Sequence, residues 1–162
     1  MKNKWIRIAL IVGISLFCLG LDQLTKFIAI KNLVELKNVP IINNFFYFTL
    51  CYNTGGAWSI FSDSTWLLAL ISIIALAFII FTLVKSKNLL YDIAASVFVG
   101  GLVGNLLDRL IQGKVTDFLD FVIFGYDFPV FNVADMCICV SALFIVIAVL
   151  KEDKKDGKEI SE

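Results

Sequence analysis

PVFNVADMCICVSALFIVIAVL, residues 129–150, is the stretch from which the rest of this chain can be read. After Asp135 come fifteen residues, 136–150, without a charged side chain. A helix crossing a hydrocarbon core about 30 Å thick needs roughly 20 apolar residues. The run is therefore most of a membrane span, and a carboxylate stands near its start. Eighteen residues earlier lies a second acid, Asp117, in KVTDFLDF.

Three more apolar segments precede it. The first covers about 5–30 and carries Asp22, Gln23 and Lys26 in its later part. The second, 66–84, is nineteen residues without a charge, and the third, about 89–107, holds Asp92 and Asn105. With 162 residues, 59% of them apolar, and a mean hydropathy of +0.88, the chain reads as one integral membrane domain. Lys2, Lys4 and Arg7 at the start of the first segment would suit a signal peptide, but no small-x-small cleavage pattern follows, so an uncleaved span is expected. The expected fold is an all-α bundle of four transmembrane helices at about 5–30, 66–84, 89–107 and 133–150. A charged tail at 151–162 follows. The first outer loop, about 36–61, is aromatic and β-favouring around an Asn-Thr-Gly-Gly turn and predicts a small extracytoplasmic β element on the membrane surface.

Basic residues flank the first span, join the second to the third (Lys85, Lys87) and follow the fourth (Lys151, Lys154, Lys155, Lys158). These flanks fall on one side of a four-span bundle, which predicts cytoplasmic termini. The second outer loop instead carries four aspartates against Arg109 and Lys114.

Composition removes several chemistries. There is no histidine, which excludes Ser-His-Asp and Cys-His catalysis and most zinc sites. A formal net charge of zero without a long basic tract argues against nucleic acid as a partner. Cys18, Cys137 and Cys139 lie in apolar runs and read as small hydrophobes; Cys51 lies outside the spans. No metal or organic cofactor is expected.

The polar residues collect at one depth. Asp22 and Lys26, four apart, share a helix face at the outer end of span one and predict an ion pair. Asn105, Asp108 and Arg109 end span three, where Asp108 with Arg109 reads as helix-end pairing. Gly100 and Gly104 in the same segment permit close helix contact. Asn132 and Asp135 begin span four. Ionisable groups at this depth are costly unless they face a partner or a cavity. Two carboxylates sharing a site can hold a single proton, one member activating water and the other donating to a carbonyl. That is the aspartic-protease scheme. Residue types alone leave open which two aspartates pair. A proton-coupled carrier or channel using the same acids is the alternative, although carriers tend to place acids at the midplane of internally repeated folds. A non-catalytic membrane assembly factor is a third reading.

Five blocks, DQLTK (22–26), YNTGGAWS (52–59), GNLLDR (104–109), VTDFLDF (115–121) and FNVAD (131–135), stand in the order and spacing of lipoprotein signal peptidase, signal peptidase II, and the chain resembles that family from residue 22 to 150. The resemblance implies an aspartic endopeptidase of the bacterial inner membrane, with its active site at the outer face. Such an enzyme removes the signal peptide from diacylglyceryl-modified prolipoproteins, cutting before the lipidated cysteine. By position it implies Asp117 and Asp135 as the catalytic pair. It implies Asn53, Asn105, Arg109 and Asn132 as residues lining the site, and Gly55 as the turn glycine of the β element. Asp22, Lys26 and Asp108 would hold the site together. Tyr52, Gly56 and Ser141 depart from the family's commoner residues at their positions. Lipidated prolipoproteins and membrane lipids are the implied partners.

Overall fold

The computed structural model describes residues 4–56 and 64–159, with side chains up to Glu152. Four helices, α1 (Lys4–Asn32), α2 (Thr65–Lys85), α3 (Leu89–Gln112) and α4 (Val133–Glu159), are long and apolar enough to cross a membrane. Four strands, β1 (Val39–Ile42), β2 (Phe46–Asn53), β3 (Val115–Ile123) and β4 (Tyr126–Asp127), form one antiparallel sheet in the order β1-β2-β3-β4.

The bundle is arranged around α3. Of its most apolar window 61% is buried, against 11%, 22% and 17% for α1, α2 and α4. The cause is glycine. A Cβ on Gly100 would meet Cys18 and the Ser15 carbonyl of α1, and one on Gly101 would meet the Ala134 carbonyl and Cys137 of α4. Backbones approach closely where side chains are absent, and dispersion across that contact replaces the hydrophobic effect that lipid does not supply. The outer faces of α1, α2 and α4 are left to large exposed apolar side chains, as lipid-facing helices require.

The structure lengthens two expected elements. The third helix continues past residue 107 to Gln112, stopping where Gly113 adopts a left-handed conformation (φ 71°) and donates its N–H to the Arg109 carbonyl. Asp108 and Arg109 therefore lie inside a helix. The fourth helix runs on through the charged tail to Glu159, because nothing between residues 151 and 156 breaks it.

The β element is also larger than expected. The first outer loop supplies β1 and β2 from Val39 on, and residues 57–61 of the expected segment lie outside the described residues. The second outer loop supplies β3 and β4, which the sequence reading left without strands. Between Phe48 and Cys51 the β2–β3 register shifts by one residue. Phe46 and Phe48 oppose Phe121 and Leu119, whereas Cys51 and Asn53 oppose Asp117 and Val115. A one-residue slip turns a strand's side chains to the other face, so this bulge puts Asn53, not Tyr52, on the face of Asp117. Stacked Phe46, Phe121 and Phe131 rings, with centroids 4.5 Å and 5.6 Å apart, bind the sheet to the strap that enters α4. Phe131 also exchanges backbone hydrogen bonds with Leu119 at 2.8 Å and 3.0 Å.

Candidate active site

Asp135 is held by the first turn of its own helix. The Asn132 side chain accepts the Asp135 N–H at 3.0 Å, and the Asp135 carboxylate accepts the Asn132 N–H at 3.2 Å. This reciprocal cap satisfies backbone donors that the start of a helix leaves unpaired. One carboxylate oxygen, Oδ2, is fixed by the cap. The other, Oδ1, accepts from the Asn105 amide at 2.7 Å.

Asp117 reaches the same place from the sheet. It is buried in β3 and accepts from Asn132 Nδ2 at 2.7 Å and from Asn53 Nδ2 at 3.1 Å. Asn53 is itself locked, its Oδ1 accepting the Gly55 N–H at 2.8 Å. The second Nδ2 bond of Asn132, at 3.0 Å, goes to Asn105 Oδ1. Two buried asparagines thus connect the two acids: Asp117–Asn132–Asn105–Asp135. Burial, and next to it the charge of Asp135, pushes the Asp117 carboxyl up to about 7, against hydrogen bonds from Asn132 and Asn53 and the charge of Lys26.

Behind the asparagines lies a buried ionic cluster. The Lys26 ammonium, 2% exposed, contacts Asp22 at 2.9 Å, Asp108 at 3.0 Å and Asn105 Oδ1 at 2.9 Å. The expected Asp22–Lys26 pair is present. The expected Asp108–Arg109 pairing is not: Asp108 pairs with Lys26 and accepts the Thr116 N–H at 3.1 Å. Adjacent helix residues point about 100° apart, so Asp108 turns to α1 while Arg109 turns to the cleft. Asp22 accepts the Ala134 N–H at 2.9 Å, tying α1 to the start of α4. Gln23, which sequence reasoning passed over, donates to Asp22, Asp108 and the Gly104 carbonyl; its only signal was its place between Asp22 and Lys26.

The acids line a cleft of about 840 Å³. Its polar wall holds Asn53, Gly55, Asn105 and Arg109 with the two aspartates. Arg109 donates to the Gly55 carbonyl at 3.3 Å and forms no ion pair among the described residues. The facing wall, Phe128, Pro129, Val130, Met136 and Val140, is apolar, and no single motif announced it. Tyr52 lines the mouth with Lys114 over its ring at 3.4 Å. Cys51 also borders the cleft, but burial, with the charges of Asp117, Asp120 and Glu35, pushes its thiol up to about 11, which withholds the thiolate at neutral pH. Asp120 is on the opposite face of β3, accepting from Thr49 at 2.6 Å. The structure places Asn53, Gly55, Asn105 and Arg109 on the cleft with Asp117 and Asp135, whereas Asn132, expected to line it, is fully buried behind the two acids and bridges them.

A family model described as signal peptidase (SPase) II matches residues 14–151. Two solved structures, each described as a bacterial membrane enzyme, share the fold. One is 35% identical with a TM-score of 0.83 and covers 90% of both chains. The other is 36% identical with a TM-score of 0.78, covering 87% of this chain and 92% of its own. A match of that length, on a frame shared with enzymes of the bacterial membrane, means that the chain belongs to the signal peptidase II family and is a multi-pass membrane peptidase.

Proposed function

We propose that this peptidase is of the aspartic type, with Asp117 and Asp135 as its catalytic pair. The observation that carries the reading is the Asn132–Asn105 bridge, which holds two carboxylates from different elements against one cleft. The pair shares one proton. The ionised member takes a proton from a water whose oxygen adds to the scissile carbonyl carbon, and the protonated member gives its proton to the carbonyl oxygen. As the tetrahedral adduct collapses, the C–N bond breaks, the proton taken from water passes to the leaving nitrogen, and one hydroxyl proton of the adduct returns to the carboxylate that had given its own, which restores the pair. Arg109 and the Asn53 amide stand on the polar wall, where they hold the peptide backbone of the substrate.

The substrate is a diacylglyceryl-modified prolipoprotein, cut before its lipidated cysteine. A cleft with one polar and one apolar wall suits a molecule that is both peptide and lipid. Both termini are cytoplasmic and the site faces outward at the inner membrane, as the basic flanks suggest. The acids gather at one end of the bundle, which fits surface hydrolysis better than transport through the midplane. Purified protein incubated with a diacylated prolipoprotein should release the signal peptide, whereas the same precursor without lipid should stay intact. Equal cleavage of both would remove the lipid from the specificity, and cleavage of neither would overturn the reading.

A further inference from the structure

Lys26 touches no cleft surface, and its two ion pairs would suffice to explain it as a strut. Its third contact is different. An ammonium has three N–H donors and no acceptor, and here the three go to Asp22, Asp108 and Asn105 Oδ1. A side-chain amide can be turned end for end at little cost unless its neighbours forbid it. Lys26 forbids it, because the reversed amide would set an NH2 group against an NH3⁺ group. Asn105 Nδ2 must then face Asp135, and Asn105 Oδ1 must accept from Asn132, whose other N–H is left for Asp117.

The charges point the same way. The acid pair is faced by Asp22 and Lys26 from α1, Asp108 and Arg109 from α3, and the Cys51 thiol from β2, while Asp120 is turned away and bonded to Thr49. Four carboxylates, three of them buried, therefore stand against two cations. Arg109 is at the cleft surface, which leaves Lys26 as the cation behind the pair. We infer that Lys26 is a positioning residue for the reaction, its ammonium dictating which end of the Asn105 amide faces Asp135 and setting a fixed positive charge behind the pair. The inference rests on Asp117 and Asp135 being the catalytic pair. Lys26 lowers the proton affinity of Asp117, so its removal makes the shared proton harder to lose.

The test is the pH profile of prolipoprotein cleavage, expressed per folded molecule, in Lys26→Gln, Lys26→Arg, Asp108→Asn and the double variant Lys26→Gln/Asp108→Asn. In Lys26→Gln the rate should fall by about 100-fold and the alkaline limb should move up by about one pH unit. Lys26→Arg keeps the charge but not the three-way fit, so the rate should fall with the limb unmoved. Asp108→Asn removes a carboxylate that competes for Lys26 and should move the limb down. The double variant removes one charge of each sign, relieves the buried imbalance that threatens folding of Lys26→Gln, and should return the limb toward wild type at a still lowered rate. Asparagine preserves the size of Asp108 and the double variant removes both charges of the pair, so at least one variant informs the outcome. If the limb stays in place in every variant that folds, and rates track only the folded fraction, Lys26 is a strut and the inference is wrong. Were Asp117→Asn or Asp135→Asn to cleave normally, it is the catalytic pair that would be wrong.

Discussion

The bundle has an ionic cluster at each end, and the two are built on opposite principles. At one end Arg7 of α1 donates to both oxygens of Asp92 in α3, at 2.6 Å and 2.8 Å, and to the Leu83 carbonyl at the end of α2, at 2.5 Å. One cation meets one anion, a helix terminus is satisfied by the surplus donor, and three helices are pinned together. At the other end Asp22, Asp108, Asp117 and Asp135 gather around Lys26 and Arg109. Here anions exceed cations, and the asparagines that bridge them leave two carboxylates on a cleft. A balanced pair is a fastening. An excess of buried acid costs stability unless it holds a proton, and a held proton is one that chemistry can use.

The sharpest way to break this comparison is to neutralise one acid at each end. Asp117→Asn or Asp135→Asn should cut the rate of prolipoprotein cleavage by about 10⁴-fold, and the double change should be little worse, because members of one catalytic unit are not additive. Single variants with substantial turnover, whose losses multiply in combination, would mean that these acids do not act as a pair. Asp92→Asn should instead lower stability by about 2 kcal/mol, measured by thermal unfolding in detergent, with unchanged turnover per folded molecule. A loss of turnover there would make the balanced end functional too.

Two smaller effects sharpen the contrast. A Cβ on Gly104 would press directly on the Asp22 carboxylate. Gly104→Ala should therefore destabilise by about 1–3 kcal/mol, whereas alanine at Gly13 or Gly20, which have open space around them, should not. The smallest effect is one of pH. Asp117 has a usual value of 3.8 and is raised to about 7 in the folded protein. Between these values the folded state binds more protons than the unfolded state, so this group makes stability fall as pH rises from about 4 to 7. Asp117→Asn should remove that fall, and its melting temperature relative to wild type should gain a few degrees from pH 5 to pH 8. A constant difference across that range would mean that Asp117 is not raised.

Much of this was legible in the sequence because the membrane makes local rules global. Apolar runs marked the four spans, the second without a charge and the others with polar residues near their ends, and those polar residues had to find one another. The sequence placed Asn132 and Asp135 together at the start of the last span, but their reciprocal cap became visible only in the structure. Strand β3 was not legible. Val115, Asp117, Leu119 and Phe121 alternate with Thr116, Phe118 and Asp120, so each face carries an acid and an aromatic ring, and the usual period of two is erased by burial on both sides. The partner of Asp108 was hidden for another reason. Lys26 is 82 residues away in the chain, and only the helix packing around Gly100, Gly101 and Gly104 brings the two together.

The cross-ties between the first and last helices also bear on how the protein is made. Asp22 and Lys26 are an i,i+4 pair within α1, so this helix holds a counterion of its own whatever else is in place. Asp108 joins them with α3. The cleft still lacks Asn132 and Asp135, and the Ala134 N–H that Asp22 awaits, until the last helix has been inserted. A chain still emerging from synthesis therefore holds no complete pair of acids. On the proposed assignment, activity would therefore wait for the last helix.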